Sequence, residues 1–399
     1  MRKRILFLIV LFALILSACA APTPTAMPTE NQPTAVPPTT EAPMTEAPAT
    51  EMPTEAVVAP TEVVTEPASG ITITDALGRQ VQLPSAPQRI VITGKALFML
   101  ADAAYAFPEA KDRIIGLGDT GQGSGNFIKL IDPNYAQKSV LVGDATGAEQ
   151  VAALKPDLVI LKSYLADSVG KPIEELKIPV IYVDFETPEQ YVRDLNIFGQ
   201  VFQNPEQAKV LQDYYQSKIQ EISSTTEKAT SKPRVLLLYY SDKEGKVAFN
   251  VPPLEWIQTS MVKTAGGEVT WAEANPVKGW TTVTLEQVAA WDADQIYVIA
   301  YTKNPSDIVK ELKSDPAWQA LRAVKDNHLY AFAGDLYSWD EADVRWILGL
   351  TWLAGRIHPE LFPNLDIVAE AQTFYNTLYG LDQAFFEQNI KPTFKGDLP

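Results

Sequence analysis

Cysteine is nearly absent from this 399-residue chain; the one present is Cys19. A lone thiol forms no internal disulfide, so stability has to come from core burial. Histidine is almost as scarce, at His328 and His358 only. Zinc and manganese sites draw on clustered histidine and carboxylate, which two dispersed histidines do not supply. The same scarcity removes ordinary histidine general-base pairs, and GxSxG, HExxH and CxxC are all missing. Carboxylate-only chemistry, such as glycoside hydrolysis, survives that screen. Tryptophan is absent before Trp256, so all eight fall in the C-terminal part of the chain.

The N-terminus stands apart from any fold. Arg2, Lys3 and Arg4 precede the apolar run ILFLIVLFALIL, which is too short for an ordinary membrane span and ends in LSAC. LSAC resembles the lipobox of bacterial lipoproteins. That resemblance implies a signal peptide over residues 1–18 and lipidation of Cys19 as the new N-terminus. An ordinary signal peptide with an incidental cysteine is the weaker alternative, because the sole cysteine sits where a lipobox needs it. Residues 20–70 contain no Leu, Ile, Phe, Tyr, Trp, Lys or Arg and are dominated by Pro, Thr, Ala and Glu. Such a stretch cannot bury enough apolar surface to offset its ordering entropy, so residues 19–70 are predicted to form a disordered tether. Even as a flexible coil it would reach on the order of 40 Å, holding a globular body off the outer face of a cytoplasmic membrane.

Basic charge is also in deficit. The chain is formally −16, with +3 from the three leading basic residues and −7 from the tether glutamates, which leaves −12 on the body. An acidic body disfavours nucleic acid and anionic lipid surfaces, and suits a cationic protein surface or ligand.

Residues 71–399 are long enough for two domains. ITITDALGRQVQLP reads as a hairpin. RIVITG, IIGLG, SVLVG, DLVILKS and PVIYVDF are short β-rich runs separated by helical stretches, which predicts an α/β layer with a mostly parallel sheet. Residues 204–231 carry helical periodicity through Ala208, Leu211, Tyr215, Ile219 and Ile222, with Asn204 as N-cap and Pro205 in the first turn. RVLLLYYS, VAFNV, QIYVIAYT and HLYAFAG then begin a second strand series, and the stretch from Glu341 to about Tyr379 reads as helical. The pattern predicts an α/β lobe at 71–203, a single long helix, and a second α/β lobe at 232–399. The word EQVAA occurs once in each, at Glu149–Ala153 and Glu286–Ala290, each time before a turn and an apolar strand.

In this order and spacing, ITDALGRQVQLPSAPQRIVITG, EQVAALKPDLVI, GWTTVTLEQVAAWDADQIYVI, SDPAWQALRAVKDNHLYAF and RWILGLTWLAGRIHPELF resemble the substrate-binding proteins of iron-complex and vitamin B12 ABC importers. The resemblance covers roughly residues 71–380 and implies two Rossmann-like α/β lobes joined by one long rigid helix, with the ligand held in the cleft between them. It implies a monomer that captures a small-molecule metal chelate without cofactor or chemistry and delivers it to a permease dimer with its ATPase. So few metal ligands in the chain itself favour cargo that brings its own chelation, and a ferric siderophore is expected first, with haem or a corrinoid next. The resemblance also implies that Glu149 and Glu286 dock on the permease, where a two-fold symmetric partner offers the same basic pocket twice. A glutamate at a helix start that merely complements the helix dipole is the alternative for either copy alone.

Ligand contacts are expected on the strand-end loops. Trp280 and Arg345 match family positions near the ligand; Trp339, Tyr240, Tyr301 and Lys95 lie on loops of the same kind. Trp291, Trp318 and Trp352 read as core, while Trp256, Trp271 and Trp346 have no assignment. GQGSG lacks the GK[ST] of a phosphate loop and reads as a flexible cleft lip. A sensor or surface-binding lipoprotein without transport, and a carboxylate-based extracellular hydrolase, are the competing readings.

Overall fold

The computed structural model describes residues 70–95, 97–118, 123–141, 146–243, 245–274 and 279–398. The signal peptide, Cys19 and the tether fall outside the described residues. The body opens with the hairpin, in which β1 (Ile71–Thr74) pairs antiparallel with β2 (Gln80–Leu83).

The first lobe holds β3 (Ile90–Ile92), β4 (Ile114–Gly118), β5 (Ser139–Leu141), β6 (Leu158–Lys162) and β7 (Val180–Val183) in an all-parallel sheet ordered β5-β4-β3-β6-β7. Every residue of β3, β6 and β7 is buried, which is why these strands read as continuous apolar runs rather than alternations. The chain lays β4 and β5 on one side of β3, then crosses to lay β6 and β7 on the other. The reversal makes a switch point at β3 and β6, where open α/β sheets leave a crevice beyond their strand ends.

The second lobe repeats the plan. Its strands are β8 (Arg234–Lys243), β9 (Lys246–Val251), β10 (Glu268–Val269), β11 (Thr281–Val283), β12 (Gln295–Ile299) and β13 (Leu329–Ala331). The sheet order is β11-β9-β8-β12-β13, with β10 beside β8 and the switch point at β8 and β12. This sheet is mixed, because β9 runs antiparallel to β8. Only two residues separate those strands, including Gly245 at φ 75°, and that is a hairpin connection rather than a crossover.

Between the lobes runs a 22-residue helix, Pro205–Thr226. The Asn204 side chain accepts from the Gln207 backbone N–H at 3.0 Å, and Pro205 fills the first position, where no backbone donor is needed. Ala208, Leu211, Tyr215 and Ile222 are its buried stripe. The expected helix from Glu341 begins later: residues 332–345 form an irregular, wholly buried segment, followed by helices Trp346–Ile357 and Ile367–Tyr379.

Candidate functional site

The two EQVAA words fold into matching brackets. The first lies in helix Ala148–Ala153 and the second in helix Leu285–Trp291. In each, the Gln after the glutamate reaches back to the residue before the helix: Gln150 Oε1 accepts from Gly147 N–H at 3.3 Å, and Gln287 Oε1 from Thr284 N–H at 2.9 Å. Val151 and Val288 are buried, at 0% and 2% exposure, whereas Glu149 and Glu286 are exposed. Each word is followed by a turn through a positive φ, at Lys155 (50°) and Asp292 (40°).

An arginine–aspartate pair then fixes each helix to its sheet. Asp157 accepts from Arg89 N–H at 2.9 Å, while Arg89 Nη2 donates to Leu154 O at 2.6 Å, closing the end of the first helix. Asp294 accepts from Arg234 N–H at 2.6 Å, while Arg234 Nη2 donates to Trp291 O at 2.8 Å, closing the second. Both arginines enter the strand at the centre of their sheet. Glu149 and Glu286 therefore occupy the same position in the two lobes. Glu286, hydrogen-bonded at its own helix start and to Thr284, is held below the usual carboxylate range.

Loops at the strand ends of both lobes enclose a cavity of about 220 Å³. Met99, Tyr164 and Glu186 line it from the first lobe; Trp256, Gln258, Trp280, Tyr301, Glu341 and Ala342 line it from the second. Trp280 meets Tyr239 at 5.0 Å between ring centroids, and Tyr301 meets Tyr239 at 4.5 Å. Beneath them Asp340 is fully buried. It accepts from Ser338 Oγ at 2.6 Å, Tyr301 OH at 2.9 Å and Gln258 Nε2 at 3.4 Å. Burial still pushes its carboxyl up to about 6. Burial, with Asp340 and Asp343 adding repulsion, pushes Glu341 well above its ordinary range. Across the cavity, Lys162 Nζ donates to Glu186 at 2.6 Å.

Of the residues singled out from sequence, Trp280 and Tyr301 meet in this cavity. Lys95 is exposed and Tyr240 half-buried, and neither lines it; Tyr240 sits on the outward end of β8 against Phe249 and under Lys303. Arg345 and Trp339 require correction as ligand contacts, since both are 0% exposed. The Trp339 indole donates to Asp335 at 3.0 Å and packs on Phe394. The Arg345 guanidinium is taken up by Asp343 at 2.5 Å, Asp102 at 2.6 Å and Asp335 at 3.0 Å, with Tyr375 OH at 2.9 Å. Asp102 belongs to first-lobe helix Leu97–Tyr105, so this cluster ties the lobes together. Its acids feel their burial, Asp102 being raised to about 6 and Asp343 to about 7.

The same seam has a neutral part. Ser124 N–H donates to Leu336 O at 2.8 Å, Tyr379 OH donates to Asp102 O at 2.8 Å, and Phe98 stacks on Tyr337 at 4.6 Å. The described end of GQGSG is thus part of the seam rather than a loose lip. Gly123 has φ 80°, and a Cβ there would stand 2.5 Å from Leu336 O.

Trp256 lines the cavity without having been assigned from sequence, as do Met99, Glu186 and Gln258. Its signal was a strand, VAFNV, running through a double proline into the loop that carries it. Trp271 is core, its indole donating to Pro252 O at 2.8 Å, and Trp346 stacks on Tyr215 of the linker helix.

The sequence model described as "Periplasmic binding protein" matches residues 110–336. The molybdate-binding protein MolA of Haemophilus influenzae is 24% identical over 345 residues, 78% of this chain and 93% of that protein. The high-affinity heme uptake system protein IsdE of Staphylococcus aureus is 26% identical over 190 residues, 46% of this chain and 61% of that protein. Among solved structures, a periplasmic solute binding protein from Veillonella parvula superposes with a TM-score of 0.65 at 25% identity, covering 82% of this chain and all of that one.

Proposed function

Since the chain belongs to the periplasmic binding protein family, the substrate-binding components of ABC importers, we propose that it captures a chelated metal complex and hands it to a permease dimer. The family works outside the cytoplasm and its members are solute-binding proteins, so the hydrolase reading falls away. The observation that carries the transport reading is the twinned bracket. Two exposed glutamates in the same local setting on two lobes match a partner that presents one basic pocket twice. A sensor without a permease has no use for the pair. Anchoring through a lipidated Cys19 completes the reading, and Cys19→Ala is expected to release the protein from the membrane fraction.

The relatives are named for molybdate and for haem uptake, so the cargo has to be read from the cleft. Among the described residues no lysine or arginine lines the cavity, which argues against a bare oxyanion. Among the described residues no group of three or more His, Cys, Asp and Glu is placed to hold a metal, which favours cargo that arrives already chelated. A ferric siderophore stands first, with haem and a corrinoid next, since each brings its own chelation. A cavity of about 220 Å³ falls below the roughly 300–1,000 Å³ usual for enclosed ligands, so any of the three would extend into the open cleft. Thermal-shift screening against ferric hydroxamates, ferric catecholates, haem, cobalamin and molybdate tests this. Tight cargo raises Tm by mass action, and a panel in which only molybdate does so would overturn the chelate reading.

A further inference from the structure

The interlobe cavity brings aromatic rings and an uncompensated acid together. Trp256 and Trp280 stand edge to face, with centroids 5.7 Å apart and 85° between planes, and Tyr301 meets Trp280 at 6.3 Å and 65°. Rings set at such angles wall a recess instead of closing into a stack. Tyr164, 57% exposed, adds a fourth ring from the first lobe.

The charges around the recess are unequal. Glu186 is already answered by Lys162. Glu341 is 3% exposed and makes no ion pair among the described residues. The carboxyls of Asp340 and Asp343 add to its negative field; Lys395 opposes them from a distance and is itself weakened by burial. Gln258, 4% exposed, holds Asp340 through its Nε2, while its Oε1 makes no hydrogen bond among the described residues. A buried carboxyl without a counter-charge is costly, and an acceptor left over beside it adds to the cost. Both costs fall when a weakly hydrated cation enters, since aromatic faces attract such a cation and the acid supplies its counter-charge.

We propose that this cavity binds an alkylated or protonated ammonium head group, held by Trp256 and Trp280, with Glu341 as counter-charge and Gln258 Oε1 as acceptor. The proposal rests on capture of a small-molecule cargo in the cleft and specifies its charge. The head group is either the whole ligand or the cationic arm of a larger chelate.

Isothermal titration of the full chain decides it with two pairs of probes. One pair is choline and its neutral isostere 3,3-dimethylbutan-1-ol. The other is a ferric tris-hydroxamate with a free terminal amine and its N-acetyl derivative. Choline is expected to bind at least about tenfold tighter than the isostere, and the amine chelate at least about tenfold tighter than the acetylated one if the head group is an arm. Glu341→Gln and Trp280→Leu should each lose about tenfold for choline, and Trp280→Phe should retain most of the affinity. Trp280 is half-exposed, so its variants keep the test decisive should Glu341→Gln unfold. Choline binding with neither chelate bound supports the cation site and removes a ferric hydroxamate as the cargo. Chelates that bind alike, with no choline binding, overturn the cation site and leave the chelate reading intact. Equal binding of choline and its isostere overturns the cation site, and so does silence from all four probes.

Discussion

At Arg345 a single guanidinium answers three buried aspartates, two from its own lobe and Asp102 from the other. Its removal strands those carboxylates in a dry interior, so Arg345→Met is expected to cost about 3–5 kcal/mol in chemical denaturation. Wild-type stability would show that the cluster does not hold the lobes together. The neighbouring acids set the direction of pH dependence. Asp102 and Asp340 are raised to about 6 and Asp343 to about 7, from an ordinary 3.8. Between the ordinary value and those raised values the folded chain binds more protons than the unfolded one, so stability rises as pH falls through that window. Asp294, held low by Arg234 N–H and Arg322, works in the opposite sense only below that range. Tm should therefore climb from pH 8 to about pH 5; a steady fall over the same interval would contradict the burial of these groups.

Among the elements, the seam segment at residues 332–345 and the EQVAA helices show opposite degrees of legibility. The helices, the parallel strands and the linker were readable because their signals are local: a repeated EQVAA word before a turn, unbroken apolar runs, an Asn-Pro start. The same applies to Glu149 and Glu286, exposed at the starts of their helices. The seam was not readable, because AGDLYSWDEADVR has the composition of a solvated turn and its partners are remote. Arg345 and Asp102 are 243 residues apart in sequence. The family resemblance places Arg345 near the ligand, and only these remote partners show that it is buried in the seam. The arginine–aspartate ties of the brackets were missed for the same reason, Arg89 reaching Asp157 from 68 positions away. Close approach at the seam also explains Gly123, whose φ of 80° and contact with Leu336 O exclude a side chain. Gly123→Ala should cost about 1–3 kcal/mol in denaturation, and a neutral substitution would contradict the tight contact.

For the whole molecule, two connections limit lobe movement: the linker helix and the buried seam, which adds charge, stacking and backbone hydrogen bonds along a second line. Wide hinge closure needs loops that absorb backbone rotation, and neither connection supplies them. Small-angle scattering with and without bound cargo should give nearly superimposable profiles; a marked compaction on binding would contradict this. A body of limited hinge motion can deliver its cargo by presenting the two glutamates to the permease in fixed register. The most direct test reverses both charges together, Glu149→Arg with Glu286→Arg, and measures cargo uptake by cells alongside cargo affinity of the isolated protein. The account predicts that uptake is abolished while affinity stays within about twofold of wild type, because the glutamates contact the partner and not the cargo. Uptake that survives the double reversal, or affinity that falls with it, would contradict the docking of this protein through its two EQVAA helices.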